Sequence, residues 1–156
     1  MKLSLVALLA LLPLLQAGDD GTRVLYVGGT VAGVQNKSQG RIEMAQGDAL
    51  TLSIRNNAAV VQCVVPFKDV NTLEYGLHVS RRYVEAILIS PMFLLAKKKS
   101  HFLTIGYTDE AGQQQAIVLQ VPGGDIRALL VSLEARTGRK VEYQDEDARR
   151  AGKGSE

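Results

Sequence analysis

Two hydrophobic periods occur in this chain, one after the other. Leu50, Leu52 and Ile54 recur at every second position, as do Leu103, Ile105 and Tyr107, and then Ile117, Leu119 and Val121. That spacing sends these side chains to one face of a strand and their neighbours to the other. After Pro122-Gly123-Gly124 the spacing changes. Ile126, Leu129, Leu130 and Leu133 fall at i, i+3, i+4 and i+7, the stripe of an amphipathic helix. Short strands followed by a single helix leave few architectures open. An antiparallel sheet must have its apolar face covered, and one C-terminal helix can cover it.

Turn chemistry divides the strands. Arg23–Val27 reads as a first strand, stopped by Gly28-Gly29. A loop over Val31–Gln39 leads to a short strand at Arg41–Met44. Asn56-Asn57 closes the alternating strand that holds Leu50 to Ile54. Val60–Val65 is rich in β-branched residues and reads as a well-buried strand, ended by Pro66. Val70–Tyr75 is a further extended piece, closed by Gly76. Thr108-Asp109-Glu110-Ala111-Gly112 is the hairpin loop between His101–Tyr107 and Gln115–Val121. Asp125 stands where a helix N-cap belongs, Arg136 lies in the last turn, and Gly138 is a natural stop. Lys140–Tyr143 is a closing extended piece. Asp145 to Glu156 mixes both charge signs and reads as a charged flexible tail. The expected fold is mainly β, with about seven strands and one C-terminal amphipathic helix, in a single domain over 18–144.

The N-terminus reads as an address. Met1-Lys2 is basic, Leu3 to Leu15 is apolar, and small residues follow at Ala17-Gly18. This is the layout of a secretory signal peptide over 1–17. Such a stretch rises about 20 Å as a helix, short of the roughly 30 Å hydrocarbon core, and Pro13 interrupts it. The expected location is outside the cytoplasmic membrane, in the periplasm or secreted. Cys63, the single cysteine, has no intramolecular partner there. Its place in an apolar strand pattern favours a buried, inert thiol.

The order of elements resembles the pleckstrin-homology superfold, in its bacterial PH-like and GRAM-like branches. The residues that carry the resemblance are Gly40-Arg41-Ile42-Glu43, Ala49-Leu50-Thr51-Leu52, and Val64-Val65-Pro66-Phe67-Lys68-Asp69-Val70, over roughly Arg23 to Tyr143. The stretches Lys99 to Tyr107 and Leu133 to Gly138 are also similar to small exported bacterial proteins of unassigned role. The resemblance implies an antiparallel barrel or sandwich capped by the helix. PH-like domains bind lipids, bind peptides or act as scaffolds, so it implies no single function and no ligand residues.

Composition removes several function classes. A net charge of +2 is too small for a dedicated nucleic-acid binder. With 5% aromatic residues and no Trp, a stacking platform for bases or sugars is not expected. His78 and His101 lie in different elements without metal-ligand spacing. No nucleophile elbow, zinc-protease or P-loop motif occurs. Gly28-Gly29-Thr30-Val31-Ala32-Gly33 is glycine-rich, but no helix pattern opens after it, so it reads as a strand end and not as a phosphate cradle. The acids at Asp145-Glu146-Asp147 lie in the tail, where nothing is expected to fix their geometry. No cofactor and no catalytic residue are expected.

One segment does not fit a plain sheet. Val84 to Ala96 is an apolar run broken by Glu85 and Ser90-Pro91, with Arg81-Arg82 before it and Lys97-Lys98-Lys99 after it. It is too short to span a bilayer. One reading packs Ile87-Leu88-Ile89 and Phe93-Leu94-Leu95 on the domain, joined at Pro91. The other exposes Ile87, Leu88, Met92, Phe93, Leu94 and Leu95 to a membrane interface or an apolar partner, with Arg81, Arg82, Lys97, Lys98 and Lys99 meeting headgroups. The function expected on this basis is a non-enzymatic binding or scaffolding module at the cell envelope, with a lipid surface or an envelope protein as partner. Two rivals stand beside it: an assembly protein that forms homo-oligomers through a sheet edge or this loop, and a small secreted hydrolase or lipid carrier.

Overall fold

The computed structural model describes residues 21–44, 47–57, 59–80, 88–89 and 98–154. The signal-peptide reading and most of the 84–96 segment lie outside them. The strands are β1 (Thr22–Gly29), β2 (Ser38–Glu43), β3 (Ala49–Asn56), β4 (Ala59–Pro66), β5 (Val70–Gly76), β6 (Leu88–Ile89), β7 (His101–Thr108), β8 (Gln114–Val121) and β9 (Val141–Tyr143). The helices are α1 (Ile126–Thr137) and α2 (Glu146–Lys153), and a 3₁₀ turn at Phe67–Asp69 joins β4 to β5. Eight strands form one curled, half-barrel sheet in the order β4-β3-β2-β1-β8-β7-β5-β9, and β6 pairs with β1 off that path. The protein is therefore mainly β, with two helices. The nine strands among the described residues are the seven expected, the closing extended piece as β9, and the two-residue β6.

The alternating segments bury the faces read from them. Leu50, Leu52 and Ile54 of β3 lie in the core with Leu103 and Ile105 of β7 and Ile117 and Leu119 of β8. Ile126, Leu129, Leu130 and Leu133 of α1 pack onto the same core. Gly138 ends that helix in the left-handed conformation, φ 68°, and donates to Glu134 O at 3.0 Å. Arg136, in the last turn, stands over the Phe67 ring at 5.6 Å. The β7–β8 hairpin is held by Asp109, whose Oδ1 accepts from Gln113 N and Ala111 N at 2.8 and 3.0 Å.

Four expectations are corrected. Val60–Val65 is not a well-buried strand. β4 is an outer strand, with Val60 and Val64 61% and 60% exposed and only Val65 fully buried among its valines. β-Branched composition reports strand propensity, which an edge satisfies as well as a centre. Asp125 occupies the N-cap position of α1 but its side chain makes no capping bond. The helix is entered through a turn in which Asp125 N donates to Pro122 O. The loop read over Val31–Gln39 is shorter, because β2 begins at Ser38, opposite Tyr26.

The fourth correction is the tail. Asp145 to Glu156 is not a flexible end over its described length. Asp145 Oδ1 accepts from Ala148 N at 2.7 Å and caps α2. Glu146 and Asp147 sit in its first turn and Arg150 and Lys153 in its last, each on the favourable end of the helix dipole. The helix buries Ala148 in the core cluster and sets Gly152 against Tyr75 and Tyr143. β9 pairs parallel to β5, with Leu73 opposite Val141 and Tyr75 opposite Tyr143. The capping helix expected to be single is therefore followed by a second one.

Candidate functional site

β1, β2 and β3 turn their alternate residues away from the core. Their registers place Arg23 directly opposite Arg41, Arg41 opposite Ser53, and Leu25 opposite both Gln39 and Gln120. Arg55 lies two residues beyond Ser53 on the same face, opposite Val60 of β4. With Glu43 these residues line an open groove of about 800 Å³ on the outer side of the sheet. Arg23 and Arg55 are exposed, while Arg41, Glu43 and Ser53 are half-buried. The groove thus carries three guanidinium groups and one carboxylate.

Arg23 and Arg41 thus set two guanidinium groups side by side across the strands. Guanidinium groups also match carboxylate and phosphate oxygens two at a time. The individual arginines are visible in the sequence at polar strand positions. Their convergence is not, because it depends on the register of three strands.

A second cluster lies where β5, β7 and β9 meet the helices. Tyr75 Oη and His101 Nδ1 are 2.5 Å apart, with the two rings stacked at 6.0 Å. Tyr143 meets Tyr75 edge-on at 5.9 Å, and Arg127 donates from Nε to Ala151 O at 3.2 Å. Burial, then the charge interaction with Tyr143, pushes the Tyr75 phenol up to about 12. It therefore stays protonated at neutral pH. His101 is its hydrogen-bond partner among the described residues, so a ring donating at Nδ1 would leave the buried phenol proton without an acceptor. The phenol therefore donates to Nδ1, and His101 is neutral with its proton on Nε2. Burial first, and then Arg127, hold the imidazole below its ordinary value.

This pair is a structural latch with a defined pH dependence. Below about 6.5 the unfolded chain takes up a proton on His101 more readily than the folded one does. The stabilisation is complete above that pH and is lost as pH falls through the lowered folded value. Thermal melts between pH 7.5 and 5 should show the midpoint falling with acid, and His101→Gln should flatten that slope. An equal slope in wild type and variant would remove the latch.

Of the residues expected to meet a membrane or a partner, Arg81, Arg82, Ile87, Met92, Phe93, Leu94, Leu95 and Lys97 lie outside the described residues. Leu88 belongs to β6, whose backbone pairs Leu88 with Gly29 and Ile89 with Gly28. Lys98 and Lys99 are exposed, and Lys99 Nζ donates to Asp147 Oδ2 of α2 at 3.0 Å. Lys99 is thus engaged by the helix. Cys63 is half-buried, with its Sγ 3.7 Å from Tyr107 Oη, and burial raises its pKa. Such a thiol is a poor nucleophile at neutral pH.

Among the described residues, no group of three or more His, Cys, Asp or Glu is placed to hold a metal ion, and no helix is long and apolar enough to cross a membrane. No protein-family model, curated protein or solved structure matches this chain.

Proposed function

We propose that this protein is a non-enzymatic binding module of the cell envelope, built on a PH-like barrel, that holds anionic lipid headgroups in the arginine groove. The observation that carries the reading is the placement of Arg23 opposite Arg41, with Arg55 beside them on the same face. Guanidinium groups in register offer paired N–H donors to the oxygens of one anionic group. The seven antiparallel strands β1 to β5, β7 and β8, followed by the amphipathic α1, support the PH-like reading. The apolar Leu3 to Leu15 stretch supports export. The apolar composition of the 84–96 run, flanked by Arg81-Arg82 and Lys97-Lys98, supports a membrane-facing role.

Co-sedimentation with vesicles tests it. Phosphatidylglycerol vesicles at 50 mM salt should pull down the protein, and phosphatidylcholine vesicles should not. Arg23→Gln with Arg55→Gln should reduce the bound fraction about tenfold without moving the melting temperature, since both side chains are exposed. Raising the salt to 0.5 M should do the same, because the attraction is screened within a few ångströms there. Equal binding to both vesicle types, or none to either, would overturn the reading. The second rival, a hydrolase or lipid carrier, has no comparable constellation in its favour among the described residues.

A further inference from the structure

β4 ends the sheet on its side, and β3 is its strand neighbour among the described residues. The phase of its hydrogen bonds can be fixed. The β3–β4 register runs without a break from Asn56 opposite Ala59 to Ala49 opposite Pro66. One step further, Phe67 N donates to Asp48 O at 2.8 Å. Bonded and non-bonded pairs alternate along an antiparallel ladder. The odd-numbered residues of β4 therefore spend their N–H and C=O groups on β3. Val60, Gln62 and Val64 direct theirs toward the open edge.

The side chains of those three residues are exposed as well. The strand Ala59–Pro66 carries no charge and no bulge along its whole register. Natural edges are guarded by lysine, by bulges, by shortness or by a covering element. The opposite edge shows that guarding: β9 is three residues long and α2 packs over it. Among the described residues β4 shows none of these devices, and its one guarding residue is Pro66 at its C-terminal end.

We propose that β4 pairs antiparallel with β4 of a second copy, about a two-fold axis at Gln62. The sequence of the strand fits itself in that register. Gln62 meets Gln62, Val60 meets Val64, and Val64 meets Val60. The three residues whose backbone faces the edge form three bonded pairs, each exchanging two N–H···O bonds. On the outer face two Val–Val pairs flank a Gln–Gln amide pair. Shifting the axis to Cys63 places Pro66, which has no N–H, opposite Val60. Shifting it to Val61 sets Gln62 against Val60 and breaks both valine pairs. Self-complementarity of this kind makes the interface isologous and closed. The two sheets become one, and both arginine grooves lie on the same side of it.

Sedimentation equilibrium on the purified protein reads the association directly. Wild type should move from one chain mass, 16.9 kDa, toward twice that as concentration rises. Gln62→Pro removes only an edge-facing N–H, so it should stay monomeric with an unchanged melt. Val64→Lys places a charge opposite Val60 and should do the same. With Cys63 replaced by Ser, Gln62→Cys should give a covalent dimer on oxidation, since opposite residues of a bonded pair lie about 5.5 Å apart. Arg55→Cys in the same background should not. A wild type that stays monomeric at every concentration overturns the proposal. So does a dimer that survives both Gln62→Pro and Val64→Lys, or one whose Gln62→Cys form does not cross-link.

Discussion

A chain ended at Gln144 is expected to lose about 3.5 kcal/mol of stability in a denaturant titration. The loss comes from α2, which covers Tyr75 and Tyr143. Gly152 approaches so closely that a Cβ there would lie 2.6 Å from Tyr143 Cε1 and 3.1 Å from Tyr75 Cε1. Ala148 is wholly buried in the core cluster. Uncovering on the order of 100 Å² of aromatic and methyl surface costs roughly 2.5 kcal/mol. Arg149 and Lys153, at 5.9 and 5.5 Å from the Tyr143 ring, add about 0.5 kcal/mol each. Gly152→Val in the full chain should also destabilise, because the added methyls meet the two rings. A truncated chain with the midpoint of the full one would show that α2 does not contribute to the core.

Leu130→Ala is expected to cost about 2–5 kcal/mol, the range for a buried leucine whose cavity only partly collapses. Leu130 lies in the core cluster with Leu129 and Leu133, in contact with the sheet's apolar face. Its neighbour Val131 is 66% exposed, so Val131→Ala should stay within about 0.5 kcal/mol. The contrast between adjacent positions tests the helical phase as well as the burial. Similar melts for the two variants would mean that α1 presents another face to the sheet. A typical domain has about 5–15 kcal/mol in total, so either of the two large changes removes a substantial share.

The stripe of α1 was legible because four leucine or isoleucine residues fall on one helical face, with only Val131 and the small Ala128 and Ala135 apolar beside them. The face of β3 was legible for the same reason, since Thr51, Ser53 and Arg55 alternate with its core residues. β7 and β8 were legible only by half. Phe102, Ala116 and Val118 form a second buried cluster on the other face with Val27 and Val79, which strict alternation does not announce. α2 carried its signal in Asp145, two acids and two basic residues in dipole order, but mean polarity concealed it. Its buried face consists of Ala148 and Gly152, residues too small to register as an apolar stripe. The arginine groove was illegible because proximity across strands is a property of register. The exposure of Val60 and Val64 was illegible because sequence does not say which strand lies last in a sheet.

The sheet also dictates when this chain can become compact. Leu25 of β1 pairs with Gln120 of β8, and Leu73 of β5 waits for Val141 of β9. β1 is in the middle of the strand order, yet one of its neighbours is among the last strands in the chain. Pairings this distant in sequence are costly to close and slow to form. A chain emerging from its N-terminal end can pair β1 to β4, but Tyr26 gains its partner Leu119 only when β8 follows. The sheet is complete only when β8 and β9 are available.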